Sequence, residues 1–398
     1  MAVLAQNGYG RSDKIEQGFN NNLIEGVILS PRDERRARLE EGIQQWRQQY
    51  GDKTILFDPQ FYAATLRTPK DGYLNEYEYY GDNNGLSRTR FSQTKINCYV
   101  SQCLDYQKSI QRNLSYITAP NILFDSFSDS WSQIAINMMI ESSEYHEKMS
   151  TDVPLLISVV FSETSLRDRV AMEEYLDALT ELEVAGFYLI VNRTAKFLQP
   201  AMDTSAFANF LYFCHVLSLN DYKVIVGYSD WSGFMLEAVG VDFTACGWYQ
   251  NLRQFSMDRF QPRDGSRRPR KRYSSYKLLY CPLLSPELQD MHEVGILNQV
   301  LSGSEYDGII VNGPASGGRQ WTNPVSCFAH WFSLAKLSEI VSLHQQSQDK
   351  LREAISIINN AISLYRQLEL KGIVTDSSHI DDWKESINEF ARIVNWKL

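Results

Sequence analysis

The sequence lacks any apolar run of the about 18 residues that a membrane-spanning helix needs. Its first residues, MAVLAQNGYGRSDK, also lack an apolar core of signal-peptide length. We therefore expect a cytoplasmic protein without membrane association. Six cysteines occur without a C-x-x-C pair, and the six histidines show no metal-binding spacing. We expect reduced, mostly buried cysteines, no metal site and no evident cofactor.

Basic residues are the minority among charged ones: 39 Lys+Arg stand against 48 Asp+Glu, a net charge of -9. A chain with this balance is not built to coat nucleic acid. One stretch departs from it, because residues 263–277 hold seven basic residues and one acid, a local charge of +6. Its candidate contacts with nucleic acid or another anion are Arg267, Arg268, Arg270, Lys271 and Arg272.

Short β-branched and aromatic runs recur along the chain, most of them separated by segments with helical periodicity. This alternation predicts a parallel sheet with crossover helices. Several runs are apolar without alternation, as strands buried on both faces are. A count of eight favours an α/β fold of the (β/α)₈ TIM-barrel type over an open doubly wound sheet. The runs are residues 54–58, 116–125, 155–163, 186–192, 223–230, 241–248, 277–281 and 306–312.

Two regions lie outside this repeat. Residues 59–115 form a long insertion after the first predicted strand, and connections of this length are usually functional or act as lids. Residues 325–398 form a helical C-terminal extension, which leaves residues 1–324 as the barrel. The apolar spacing in the extension predicts a face that packs on the barrel, on a second copy of the chain or on a protein partner.

In a barrel of this type, catalytic groups lie just beyond the C-terminal ends of the strands. Four acids have this position in the sequence: Asp58, Asp125, Glu163 and Asp230. Each could instead cap the helix that follows, and this alternative is strongest for Glu163 and Asp230. Paired carboxylates facing one cavity suit general acid–base catalysis or nucleophilic attack at an anomeric carbon. They are equally compatible with Mg²⁺.

Other polar and aromatic side chains at strand ends could orient a ligand. An amide can read a base or a sugar, and aromatic rings can stack on either. The glycine-rich loop 313–319 could hold a phosphate with help from Arg319. Each feature also has a structural interpretation, as a loop-stabilising amide, a ring that fills space or a plain turn. The candidates are Gln60, Asn192, Arg193, Trp248, Tyr249, Asn312 and Arg319.

The segment LEAVGVDFTACGWYQNLRQ (236–254) resembles the late-barrel strand of the tRNA-guanine transglycosylase family, whose A-x-GVD-x-F-D-C run carries the catalytic aspartate. Ala245 stands at the position of that aspartate, and the zinc-binding C-x-C-x-x-C of the family is absent. The resemblance implies a barrel and a nucleobase-related ligand, without standard base exchange on tRNA. Glycosidic chemistry would then need another acid, such as Asp58 or Asp125.

The sequence thus predicts a barrel enzyme that acts on a nucleotide, a nucleic acid or another phosphorylated glycosidic ligand, by glycosyl transfer or N-glycosidic cleavage. A non-catalytic barrel subunit of a multiprotein or nucleic-acid-associated complex and a sugar hydrolase are the alternatives. The basic stretch falls between the sixth and seventh predicted strands. A crossover helix at 249–260 would place it at the bottom of the barrel, whereas an irregular loop there would place it at the active-site end.

Overall fold

Parallel strands alternate with helices in the computed structural model, which describes residues 2–81, 84–193, 201–262, 270–373 and 375–398. The strands are short, and nearly all of their side chains are buried. They are β1 (Val3–Gln6), β2 (Gly26–Leu29), β3 (Thr54–Phe57), β4 (Ile117–Thr118), β5 (Leu123–Phe124), β6 (Leu155–Ser162), β7 (Gly186–Asn192), β8 (Lys223–Gly227) and β9 (Phe243–Gly247).

The described α-helices range from 4 to 24 residues in length. They are α1 (Lys14–Asn20), α2 (Arg36–Gln49), α3 (Gln93–Ser109), α4 (Ser130–Lys148), α5 (Arg169–Thr180), α6 (Thr204–Leu219), α7 (Gly233–Ala238), α8 (Gln289–Glu293), α9 (Leu297–Val300), α10 (Pro314–Gly317), α11 (Asn323–Ser342), α12 (Ser347–Leu370) and α13 (Ser378–Ile393). Within the described residues, none of these helices combines the length and the apolar character needed to cross a membrane.

The strands form a nearly closed, all-parallel barrel of eight positions. Their order is β3-β2-β1-β9-β8-β7-β6-β4, and β5 continues the β4 position by pairing with β6. The remaining gap, between β3 and β4, is bridged by one residue. Ser115 donates its backbone N–H to the Ile55 carbonyl (2.9 Å), and its hydroxyl accepts from the Ile55 N–H (3.0 Å). The predicted α/β barrel is confirmed at this level.

Two predicted strands are wrong, and two real strands were missed. Residues 277–281 and 306–312 belong to no strand, whereas β1 and β2 precede the first predicted one. Leu278 and Leu279 are buried because α12 and α13 cover them: Tyr365 donates to the Leu278 carbonyl and His379 contacts the Leu279 carbonyl. The long insertion consequently follows the third strand, not the first.

Helix α11 completes the ring of helices around the barrel. It begins only after the 75 residues 248–322 that follow β9. It packs between α7 and α1 and contacts β1. Trp331 on α11 donates to the Cys246 carbonyl (3.1 Å), and Ser338 accepts from the Ala2 N–H (3.0 Å). Helix α12 then packs on α7 and α11, and α13 packs on α6.

The tyrosine-rich part of the insertion is largely core. Tyr77 and Tyr79 are buried, and their rings lie 5.7 and 6.4 Å from that of Phe57 at the end of β3. Tyr79 also donates to the Pro59 carbonyl (2.8 Å). These aromatic side chains fill the space beside β3, so this part of the insertion holds the end of a barrel strand in place.

Candidate functional site

Residues 248–262, here called the mouth segment, cross the barrel at the C-terminal ends of its strands. Instead of a crossover helix they form two short helical turns, Gln250–Leu252 and Met257–Phe260. Residues at the end of β7 fix the segment: Asn192 accepts from the Met257 N–H, and the Arg193 N–H donates to the Phe255 carbonyl (2.9 Å each). Asn192 and Arg193, which we predicted to bind a ligand, thus position the mouth segment.

Asp58 lies beneath this segment and is fully buried. Its carboxylate accepts hydrogen bonds from the Gln60 N–H (3.1 Å) and from the hydroxyls of Tyr62 (3.0 Å) and Tyr188 (3.5 Å). Burial raises the pKa of Asp58 to about 6 although these donors act in the opposite direction. The barrel core therefore contains a carboxyl group that exchanges a proton near neutral pH.

Arg259 connects this core to the surface. Its guanidinium donates to the Tyr228 hydroxyl (2.5 Å) and to the Asp33 carboxylate (2.7 Å). Asp33 also binds Arg32 (2.7 Å) and accepts from Ser30 (2.8 Å). Arg259 and Asp33 are only 5% and 8% exposed, so the pair is a buried ion pair whose members are held by further hydrogen bonds.

Two cavities open at the C-terminal ends of β1 and β2, with volumes of about 310 and 210 Å³. Both are lined by Tyr9 and Asp33, and we call them the Tyr9 cavities. The first also carries three arginines, Arg11, Arg35 and Arg38, together with Glu34. The second carries Arg32, Arg259 and Lys70. Together the two cavities are lined by six cations and two carboxylates. They form a basic surface that the composition did not reveal.

The first wall of the Tyr9 cavities is the loop between β1 and α1, with the sequence NGYGRSD (7–13). Lys14 is buried and donates its ammonium group to the Gly10 carbonyl (2.6 Å), so a lysine inside the loop fixes its shape. A Cβ on Gly8 would lie 2.3 Å from the end of the Leu252 side chain, so a larger residue in the loop would displace this leucine of the mouth segment. This loop was not predicted from the sequence, because the strand before it, β1, was not predicted.

A second polar cluster lies beside β8 and β9, and we call Asp230, Cys246 and His330 the Asp230 cluster. His330 Nε2 lies 2.9 Å from Asp230 Oδ1 and 3.4 Å from Cys246 Sγ. The ligand atoms of all three residues lie within 4.8 Å of one another, a grouping that could hold a metal ion. The sequence predicted no metal site. His330 lies 100 positions from Asp230, so no local spacing could reveal the pair.

Cys281 and Arg253 adjoin this cluster. The Arg253 guanidinium donates to Cys281 Sγ (3.0 Å), and Cys281 Sγ lies 4.0 Å from His330 Nδ1. Burial would raise the pKa of this thiol, but the charge of Arg253 and the contact with His330 outweigh it and lower the pKa to about 7. Cys281 was predicted to end a strand. It is instead a buried thiol with a cationic partner.

The four predicted catalytic acids have different partners. Asp58 lies in the tyrosine network, Glu163 pairs with Arg193 (3.0 Å) and Asp230 pairs with His330. Asp125 is exposed, and Asp129 rather than Asp125 caps α4. The described contacts therefore do not join these acids in one pair of facing carboxylates.

The remaining predicted ligand residues are divided between the mouth and the outer surface. Gln60 is buried and accepts from the Arg32 N–H (3.2 Å), so it stabilises a loop. Trp248 is buried against Tyr9, whereas Tyr249 lines the second Tyr9 cavity. Asn312 and Arg319 are exposed, and the 313–319 loop contains α10 and follows no strand, which corrects its assignment to the eighth barrel loop.

The basic stretch follows β9, so its placement between a sixth and a seventh predicted strand is wrong. Of the two alternatives for residues 249–260, the crossover helix is absent and the irregular segment is present. Arg267 and Arg268 lie outside the described residues. Arg270 and Lys271 are exposed, and Lys271 donates to the Gly318 carbonyl. Arg272 donates to the Cys281 carbonyl (2.6 Å). The described end of the stretch thus contacts the segment that approaches the Asp230 cluster, on the same side as the C-terminal ends of the strands.

Neither the family models nor the curated proteins contain a match to this chain. Its function is therefore inferred from the geometry and the charge of the residues around the barrel mouth.

Proposed function

We propose that the protein is a barrel enzyme that binds a phosphorylated ligand of the nucleotide class in the Tyr9 cavities. The observation that carries the proposal is the set of six cations that line two adjoining cavities in a chain of net charge -9. The cavities lie at the C-terminal ends of strands, where barrel enzymes bind their substrates. The basic stretch 263–277, which first suggested an anion site, contributes none of these six side chains.

The charge around the cavities is suited to more than one negative group on the ligand. Asp33 binds Arg32 and Arg259, and Glu34 binds Arg11 (3.3 Å) and Arg38 (3.1 Å). Each carboxylate thus orients two arginines but neutralises only one charge. The surplus of four positive charges is sufficient for a diphosphate or triphosphate, whose oxygens form strong charge-assisted hydrogen bonds with guanidinium groups.

Aromatic side chains beside the cations favour a ligand that also carries a planar base. Tyr9 is 76% exposed in the wall that the two cavities share. Tyr73 lines the first cavity, and Tyr249 lines the second. Stacking of a base on an exposed ring contributes about 1–3 kcal/mol. Phosphate contacts and stacking together distinguish a nucleotide from a simple phosphate.

The reaction that we propose is the glycosyl transfer or N-glycosidic cleavage inferred from the sequence. Asp58 supports it as a group that exchanges a proton near neutral pH, and Arg259 is both a charged neighbour of Asp58 and a wall of the second cavity. Because Asp58 is buried below Arg259, we assign it as a positioning residue that acts through this arginine. It is not assigned as a residue that touches the substrate.

Binding is tested by calorimetry with adenosine, AMP, ADP and tripolyphosphate. We expect affinity to increase with each phosphate and to decrease steeply with salt. Arg35→Gln and Lys70→Gln each remove one exposed cation from the rim and should weaken ADP binding about 5- to 10-fold, since charge-assisted hydrogen bonds contribute more than neutral ones. Arg366→Gln, at a different cavity between α12 and α13, is the matched control and should leave binding unchanged.

The reaction is tested separately by chromatographic detection of free base after incubation with nucleotides. Free base that appears with the wild type and decreases at least tenfold in Asp58→Asn, with ADP binding retained, supports the glycosidic step. If adenosine binds as well as ADP, or if neutral oligosaccharides bind and nucleotides do not, the nucleotide assignment is wrong.

A further inference from the structure

Three side chains with metal-binding atoms converge beside the last two barrel strands. Asp230 lies in the turn after β8, Cys246 lies in β9, and His330 lies on α11. Three separate elements, joined only in the folded chain, thus place a carboxylate, a thiol and an imidazole together. We infer that the Asp230 cluster is a binding site for a divalent transition-metal ion, with Zn²⁺ as the ion that fits it best.

The distances in the cluster are close to those around a tetrahedral zinc ion. Cys246 Sγ lies 3.4 Å from His330 Nε2 and 3.9 Å from Asp230 Oδ1, and the nitrogen and the oxygen are 2.9 Å apart. Bonds of about 2.3 Å to sulfur and about 2.0–2.1 Å to nitrogen and oxygen set these separations at roughly 3.6, 3.5 and 3.3 Å in a tetrahedron. Each observed separation therefore needs to change by only about 0.4 Å or less.

The surroundings of His330 orient its ring for this role. Nδ1 lies 2.9 Å from the hydroxyl of Ser274, and both side chains are buried. The ring of Trp231 lies perpendicular to the imidazole, with the centroids 5.0 Å apart. A metal-binding histidine usually hydrogen-bonds through its other nitrogen, which fixes the tautomer and the ring plane. Here that bond to Ser274 leaves Nε2 facing Asp230 and Cys246.

The chemistry of the three ligands selects the ion. A carboxylate and a thiolate bring two negative charges, which balance a divalent cation in a buried site. Thiolate and imidazole favour zinc over Mg²⁺, which prefers oxygen ligands. Three protein ligands leave a fourth position for water or substrate, as in catalytic zinc sites. Asp230 is the least buried of the three, with 13% of its side chain exposed.

The neighbouring thiol supplies a matched control. Cys281 Sγ lies 3.0 Å from the Arg253 guanidinium and 4.0 Å from His330 Nδ1, the nitrogen that is not assigned to the metal. Cys281 is therefore a buried cysteine next to the same histidine, but it is outside the ligand set. Replacing it tests whether any nearby thiol is sufficient.

The test uses full-length protein that has been stripped with a chelator and titrated with Co²⁺, followed by Zn²⁺. We expect one equivalent of Co²⁺ to produce a thiolate-to-cobalt charge-transfer band and the intense visible bands of a tetrahedral site, and Zn²⁺ to displace it. Cys246→Ser should abolish the charge-transfer band, and Asp230→Asn should weaken Co²⁺ binding at least tenfold. Cys281→Ser should retain the wild-type spectrum.

Two results would overturn the inference. The first is wild-type protein that binds neither ion at micromolar concentration, or that gives a Co²⁺ spectrum without a thiolate band. In that case the cluster would be a hydrogen-bonded Asp–His pair without a metal ion. The second is a wild-type spectrum retained in folded Cys246→Ser. The wild-type spectrum decides the question even if that variant fails to fold. Metal binding is measured without substrate, so the outcome is independent of the proposed nucleotide site.

Discussion

The role of a single side chain in this barrel differs most from the role predicted from the sequence where burial changes its chemistry. Asp58 was selected as a strand-end acid, and the structure retains it at the C-terminal end of β3. Its partners are tyrosine hydroxyls instead of a second carboxylate. A sequence can indicate which acid follows a strand, but it cannot show that a distant mouth segment will cover it and remove water.

The first prediction concerns the pH dependence that Asp58 introduces. Its pKa is about 6 in the folded chain against 3.8 for an ordinary aspartate. Between these values the native state binds a proton that the unfolded state has released, so stability decreases as pH rises. Relative to Asp58→Asn, the wild type should lose roughly 3 kcal/mol of unfolding free energy between pH 4 and pH 7, at about 1.4 kcal/mol per pKa unit. Urea unfolding across this range measures the difference, and parallel curves would contradict the assignment.

The second prediction compares two arginines of the Tyr9 cavities. Arg259→Met removes one partner of a buried ion pair and should destabilise the protein by about 3–5 kcal/mol. The reason is that the buried Asp33 carboxylate would keep only one of its two arginine partners. Arg38→Met breaks an ion pair whose arginine is 64% exposed. It should cost at most about 1 kcal/mol. Denaturant unfolding measures both losses of stability. Similar losses in the two variants would show that the buried Arg259–Asp33 pair contributes no more than the exposed pair.

At the scale of elements, six of the eight predicted runs contain barrel strands, and β1 and β2 were missed. The segments LLISVVFS and GFYLIVN are longer apolar runs than a loop would bury, and both are strands. The missed β1 and β2 have four residues each, as does β3, which was predicted, so length alone does not explain the miss. Residues 277–281 have strand composition because two helices cover them. An apolar composition indicates that a segment is buried. It does not show whether neighbouring strands or helices bury it.

The third prediction concerns the docking of α13. His379 is buried between Trp383 and Tyr365, and burial lowers its pKa from 6.5 to about 4. Between these values the unfolded state binds a proton that the native state excludes, so stability decreases as the pH falls. His379→Gln keeps a donor for the Leu279 carbonyl and should gain about 3 kcal/mol relative to the wild type between pH 7 and pH 4.

Hydrogen exchange of α13 at pH 5 would locate this effect. We expect faster exchange in the wild type than in His379→Gln. His344→Gln, at a histidine that is 39% exposed, is the control and should follow the wild type. Equal protection of α13 in all three proteins would show that His379 does not control its docking.

The molecule as a whole agrees with the sequence in its barrel architecture and differs from it in the location of a basic concave surface. Eight positions of a parallel barrel were expected and are present. The Tyr9 cavities were not expected, because they depend on the two strands that were missed. The Asp230 cluster was also hidden, since it unites residues from a turn, a strand and the last helix of the ring. Long-range convergence of this kind leaves no local signal.

The fourth prediction separates a structural role of the last two helices from a role in recruiting partners. Helix α12 buries Leu351, Ile358 and Leu368, and α13 buries Trp383 and Phe390. Deleting residues 345–398 should therefore expose core and abolish cooperative thermal unfolding. A truncated protein that melts like the wild type would instead mean that these helices are an independent module, available to a partner or a second copy.

The position of β1 in the barrel has a consequence for how the chain acquires its structure. β1 is paired on one side with β9, Val3 opposite Thr244, and Ala2 bonds to Ser338 across 336 positions. At roughly 5–20 residues per second, the ribosome needs on the order of tens of seconds to make the partner of the first strand. Until β9 (Phe243–Gly247) has been synthesised, β1 has an open, apolar edge that is a site for misassembly of the nascent chain. We expect contacts this distant in sequence also to slow refolding.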